Sequence, residues 1–107
     1  MKNFDGRVCV ITGAGSGTGR ALALELAGRG ARLAVWDIDA ADAEATAAAC
    51  AKLGADARGY ARDVAQRDEV QAHADEVMSD FGLVNLVVNN AGVGVTAEFL
   101  DRKKAAA

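Results

Sequence analysis

Two features of this chain have the residue types and spacing to bind phosphate and ribose. The first is Thr12-Gly13-Ala14-Gly15-Ser16-Gly17-Thr18-Gly19, directly behind the apolar run Val8-Cys9-Val10-Ile11. Glycine at alternate positions lets the backbone take tight or positive-φ conformations and lets an anion approach without meeting a Cβ. A helix opening after such a turn points its free N–H groups and positive dipole end at that anion. The second feature is Asp37, which ends the next apolar run 18 residues after Gly19. An acid at that point suits the hydroxyls of an adenosine ribose. Asp37 could instead cap the helix expected from Ala40, although Asp39 is better placed to do so.

The elements that must hold these residues follow in a regular order. Arg7–Thr12, short and β-branched, predicts a buried strand of a parallel sheet. Thr18–Gly28 predicts a helix, with Leu22 and Leu26 four apart, Ala23 and Ala27 beside them, and a stop at Gly28-Arg29-Gly30. Arg32–Asp37 is a second strand, and Ala40–Leu53 a helix by propensity, closed by Gly54. A third strand is expected within Asp56–Asp63, interrupted by Arg58, Gly59 and Arg62. Gln66–Phe81 is a helix, with Val70, Ala74, Val77 and Phe81 at spacings of four, three and four. Leu83–Asn89 is a fourth, nearly all-apolar strand.

Strands alternating with helices in this way predict an α/β fold, a Rossmann-like doubly wound parallel sheet of four strands and three full helices. After Gly94 the pattern decays. Thr96–Leu100 suggests the start of a helix and residues 101–107 a frayed tail. The fourth strand is then expected to lack cover on one face and a partner on its outer edge. Residues 1–107 therefore read as a single, partial and incomplete dinucleotide-binding domain, well patterned over 7–94. An uncovered edge of this kind invites self-association or a partner chain.

Composition removes several classes of function. Apolar residues make up 51% and charged residues 25% of the chain, an ordinary globular balance and not a disordered one. The net charge of -3 has its signs interspersed, so neither nucleic acid nor an anionic membrane is an expected partner. No run reaches transmembrane length and the first residues do not form a signal peptide, which makes the cytoplasm the expected location. Cys9 and Cys50 read as small packing residues. With His73 far from both in sequence, metal-ligand spacing is missing and no metal is expected.

Asp37 also bears on which dinucleotide fits. A 2′-phosphate about 4 Å from its carboxylate would meet repulsion of roughly 4 kcal/mol at an effective dielectric near 20. Ser16 and Ile38, the two positions where a base could offset this, are uncharged. NAD is expected over NADP. An acid after the second strand would equally suit the adenosine of a methyltransferase cofactor.

Taken together, these residues resemble the short-chain dehydrogenases/reductases. That family's Thr-Gly-x-x-x-Gly-x-Gly signature is present as Thr12 to Gly19, and its Asn-Asn-Ala-Gly signature as Asn89 to Gly92. Asp63-Val64 matches its adenine contact. The resemblance covers residues 4 to about 100 and favours NAD over the methyltransferase cofactor. It implies that Gly13, Ser16, Gly17, Thr18 and Gly19 line the pyrophosphate and that Asp37 binds the adenine ribose. It further implies that Asp63 and Val64 meet the adenine, and that Asn90, Ala91 and Gly92 run beside the nicotinamide-side ribose. Asn89 would brace the sheet across strands. Thr18 departs from the aliphatic residue common at its position.

The larger departure concerns catalysis. The family uses a serine, and a tyrosine with a lysine four residues later, on elements beyond the fourth strand. Here the single tyrosine, Tyr60, is followed four residues on by Val64, and Ser79 lies near the end of a helix the family does not use. No catalytic residue is assigned. The expectation is the NAD-binding portion of an oxidoreductase acting on an alcohol/carbonyl pair, truncated before its catalytic residues and inactive alone. The alternative is a non-catalytic nucleotide-binding module completed by self-association or a partner.

Overall fold

In a computed structural model, residues 4–15, 17–61, 75–90 and 96–103 are described. The elements are β1 (Val8–Thr12), α1 (Gly17–Gly28), β2 (Arg32–Asp37), α2 (Ala40–Lys52), β3 (Ala57–Ala61), a helix α3 described over 75–81, β4 (Leu83–Asn89) and β5 (Thr96–Lys103). The sheet runs in the order β3-β2-β1-β4-β5. Its first four strands are parallel, and β5 pairs antiparallel with β4. This is the Rossmann-like, doubly wound arrangement expected from the alternation of strands and helices.

Burial on both faces explains why the strands are apolar without alternation. All five residues of central β1 are buried. One face of the sheet, with Cys9, Ile11, Leu33, Val35, Leu86 and Val88, packs on Ala23, Leu26 and Ala27 of α1 and Ala43, Ala47 and Cys50 of α2. The opposite face, with Val8, Val10, Ala34, Trp36, Tyr60, Val84 and Val87, packs on Val77 and Phe81 of α3. Trp36 is the largest fully buried side chain.

The end of the chain departs from the sequence reading. Thr96–Lys103 is a strand, where Thr96–Leu100 suggested a helix and 101–107 a frayed tail. Residues 90–95 are too short a connection for a parallel return, which needs about a dozen residues or more, so the chain runs back antiparallel. Register runs from Asn89 opposite Thr96 to Leu83 opposite Lys103, with an irregularity between Val84 and Leu86. The outer edge of β4 is thereby paired, and its two faces both pack, Leu86 and Val88 on one side and Val84 and Val87 on the other. The uncovered edge and face expected for the fourth strand are not found, which removes the reason for expecting self-association there. Glu98, Asp101, Arg102 and Lys103 make β5 a charged edge strand, a composition that discourages further pairing.

Candidate functional site

The glycine stretch connects the end of β1 to the start of α1, as the spacing predicts. Gly13 and Gly17 take φ of 61° and 59°, in the left-handed region that favours glycine. Between them the Ala14 amide donates to the Trp36 carbonyl at 3.0 Å, fixing the turn to the end of β2. Helix α1 opens at Gly17 with no acid in its first turn. Its leading N–H groups have no partner within the helix, and no carboxylate of its own competes for its positive end.

Gly19 must lack a side chain. A Cβ there would overlap the Gly13 carbonyl and the Asn90 side chain. Asn90 follows β4, donating its amide to Thr12 Oγ1 at 2.9 Å and its Nδ2 to the Gly13 carbonyl at 3.3 Å. The Thr12 hydroxyl, fully buried, in turn donates to the Val88 carbonyl at 3.5 Å. Thr12 therefore continues the β1–β4 junction through its side chain, past the last backbone pair at Ile11 and Val88. At the other end of β1 the Val8 amide donates to Asn85 Oδ1 at 2.9 Å. Bracing across strands was expected of Asn89, whose side chain lies outside the described residues. Thr12 and Asn85 do brace, a role that neither the signature beginning at Thr12 nor the composition of β4 pointed to.

Asp37 and Asp39 divide the work that the sequence left open between them. Asp39 is the N-cap of α2, with φ −91° and ψ 112°, and accepts from the Asp42 amide at 3.0 Å. Asp37 is free of that task. Its Oδ2 accepts from the Gly15 amide and its Oδ1 from the Asp39 amide, both at 2.9 Å. A carboxylate has about four acceptor positions, so two bonds leave room for ligand hydroxyls. Gly15, a variable position in the motif, is thus the residue that aims the acid, and sequence reasoning gave it no part.

Gly13, Gly17, Thr18, Gly19, Asp37 and Asn90 are thus gathered at the C-terminal ends of the parallel strands β1, β2 and β4. Ser16, Asp63, Val64, Ala91 and Gly92 lie outside the described residues, as does His73.

The remaining reactive groups lie elsewhere. Tyr60 is buried on the α3 face, where its hydroxyl donates to Asp80 Oδ2 at 2.5 Å. Burial, then the bond to Asp80, push its pKa well above the ordinary phenol range. Ser79 is exposed on α3. Cys9 and Cys50 are free and buried, and burial pushes the Cys9 thiol up to about 12 and Cys50 in the same direction. Among the described residues no cluster of His, Cys, Asp and Glu could hold a metal, and no helix is long and apolar enough to cross a membrane.

The family model described as "short chain dehydrogenase" matches residues 7–106. Putative oxidoreductase SadH of Mycobacterium tuberculosis is 50% identical over 93 residues, which are 87% of this chain and 34% of that protein. Estradiol 17-beta-dehydrogenase 11 of Mus musculus is 44% identical over 97 residues, 91% of this chain and 33% of that one. Among solved structures, an NAD+-bound xylitol dehydrogenase is 40% identical with a TM-score of 0.78, over 85% of this chain and 35% of that one. The chain spans about a third of the length of the curated relatives it matches.

Proposed function

This chain belongs to the short-chain dehydrogenase family, and from that premise we propose that it is the NAD-binding portion of an oxidoreductase acting on an alcohol/carbonyl pair. The observation that carries the reading is the Asp37 carboxylate, held by the Gly15 and Asp39 amides beside the open end of α1. The residues fit a dinucleotide: Gly19 leaves space where a Cβ would close the loop, and Asp37 keeps acceptor positions for hydroxyls. Gly13, Ser16, Gly17, Thr18 and Gly19 would hold the pyrophosphate, and Asp37 the adenine ribose. Asp63 and Val64 would meet the adenine, with Asn90, Ala91 and Gly92 along the nicotinamide-side ribose. When bound, the nicotinamide supplies the hydride acceptor or donor.

NAD is preferred to NADP because the Asp37 carboxylate would repel a 2′-phosphate. The NAD+-bound xylitol dehydrogenase supports the choice of cofactor. The work of this chain is to bind and orient: the loop amides hold the anion, Asp37 fixes the ribose, and Asn90 keeps the loop in register with β4. The serine and the Tyr-x-x-x-Lys that the family uses would come from sequence outside these residues, since Tyr60 is bonded to Asp80. A cytoplasmic location is favoured by two free, buried thiols, which suit a reducing compartment.

A non-catalytic module completed by self-association or a partner is the second reading. It would draw support from an open flank beside β4, and β5 occupies that flank.

Titration of the chain with NAD and NADP, by calorimetry and thermal shift, tests the proposal. The expected result is weak NAD binding, weaker NADP binding and no turnover of alcohols. Failure to bind NAD, or preference for S-adenosylmethionine, overturns it.

A further inference from the structure

The turn that presents Asp37 brings a second acid against the glycine loop. A Cβ placed on Gly15 would stand 2.5 Å from the Asp42 Cβ and 2.8 Å from Asp37 Oδ2. Gly15 is therefore wedged between the two residues, and Asp42 reaches the loop from the first turn of α2 as Asp37 does from the end of β2. We infer that Asp42 is a second specificity-determining residue of the dinucleotide site, acting with Asp37 to exclude a 2′-phosphate. This rests on the NAD-binding reading above.

Three observations carry it. Asp42 is exposed, and the bond to the α2 N-cap is made by its backbone amide, so the carboxylate is not needed for capping. The position of Asp37 is held at both oxygens, so its charge does not swing aside for an incoming phosphate, and the acid beside it adds to the same field. The only base within residues 13–20 and 37–42 is Arg20, and its Nη1 donates to Thr46 Oγ1 at 3.0 Å, between α1 and α2. A dianionic 2′-phosphate would thus meet negative charge from two elements. The uncharged 2′-hydroxyl of NAD would not.

The roles of the two acids differ. Asp37 both accepts from the ribose and repels phosphate, so its loss weakens NAD as well. Asp42 contributes charge alone, and both cofactors carry the pyrophosphate while only NADP carries the 2′-phosphate, so its loss favours NADP over NAD.

The test is competition of NADP and of NAD against NADH fluorescence, for the wild-type chain, Asp42→Asn and Asp42→Glu, with melting curves confirming that each folds. Asp42→Asn is expected to tighten NADP about fivefold at low salt, an effect of one like charge at short range. NAD affinity rises less, so that the NADP-to-NAD ratio shifts toward NADP, Asp42→Glu matches wild type, and the gain fades at about 1 M salt. An unchanged NADP-to-NAD ratio in Asp42→Asn, or an equal gain in Asp42→Glu, overturns the inference while NAD binding by the wild type leaves the parent reading standing. If the wild-type chain binds no NAD, the parent reading fails and this one fails with it.

Discussion

Asn90 Nδ2 lies 3.3 Å from the Gly13 carbonyl oxygen and donates to it, which ties the end of β4 to the first residue of the glycine loop. The loop is therefore shaped from three sides: by Asn90, by the Trp36 carbonyl through Ala14, and by Asp37 through Gly15. Gly13, Ala14 and Gly15 are each tied in this way to the end of a neighbouring strand.

Thr12→Ala should show what the Asn90 connection is worth. It removes the hydroxyl that accepts from the Asn90 amide and donates to Val88, leaving a donor without its bond in a part-buried site. The expected loss is about 1–3 kcal/mol in urea unfolding. Thr12→Ser, which keeps the oxygen, should recover most of it.

Gly19→Ala should abolish nucleotide binding, because the methyl group would overlap the Gly13 carbonyl, which is backbone and cannot rotate away. A stability loss of about 1–3 kcal/mol is expected from the overpacking. Gly28→Ala is the matched control. Nothing lies within 4 Å of a Cβ there, and it sits in the last position of α1, so a gain of up to about 1 kcal/mol is expected. Thermal melting and NAD titration of both variants check the pair.

Asp37→Ala should destabilise the chain even without cofactor. The Gly15 amide loses its acceptor and the start of the β2–α2 turn loses another, a cost of about 1–2 kcal/mol for the part-buried Gly15 donor. An unchanged melting temperature in the absence of nucleotide would show that the Asp37–Gly15 bond contributes nothing to the loop.

Alkaline pH should unfold the protein through its core thiol. Cys9 keeps its proton up to about 12 in the folded chain, against 9.0 ordinarily, so between those values the folded state binds more protons than the unfolded one. Stability contributed by the neutral thiol is complete below pH 9.0 and is lost as pH rises toward 12. The slope from one such group is about 1.4 kcal/mol per pH unit. Tyr60 and Cys50, raised by burial in the same direction, steepen it. Denaturant midpoints measured across this range should fall, and Cys9→Ala should flatten the fall.

The parts of the fold that were legible in the sequence are those where local pattern and tertiary demand agree. β2 and β4 have their expected bounds because a strand buried on both faces is written as an unbroken apolar run. β3 was blurred by Arg58 and Gly59 because it is an edge strand, buried mainly at Tyr60. β5 was misread because Ala97, Glu98, Leu100 and Lys103 favour a helix, whereas its conformation follows from a short connection and an unpaired neighbour, neither of which is a local property. In the site, Asp37 and the glycines announced themselves by type and spacing. The Asp37–Gly15 bond, the bracing by Thr12 and the approach of Asp42 did not, because each is a contact across β1, β2, α2 or β4, which no single stretch of sequence records.

The chain has one tryptophan and one tyrosine, and the fold sets their rings 6.2 Å apart at 72° beneath the loop. Light absorbed by Tyr60 will pass to Trp36, so the emission of the whole protein comes from a single buried indole. That indole belongs to the residue whose carbonyl holds Ala14. The unlabelled protein thus has its own optical gauge of the sheet under the glycine loop, with no probe placed on any residue that would touch a ligand.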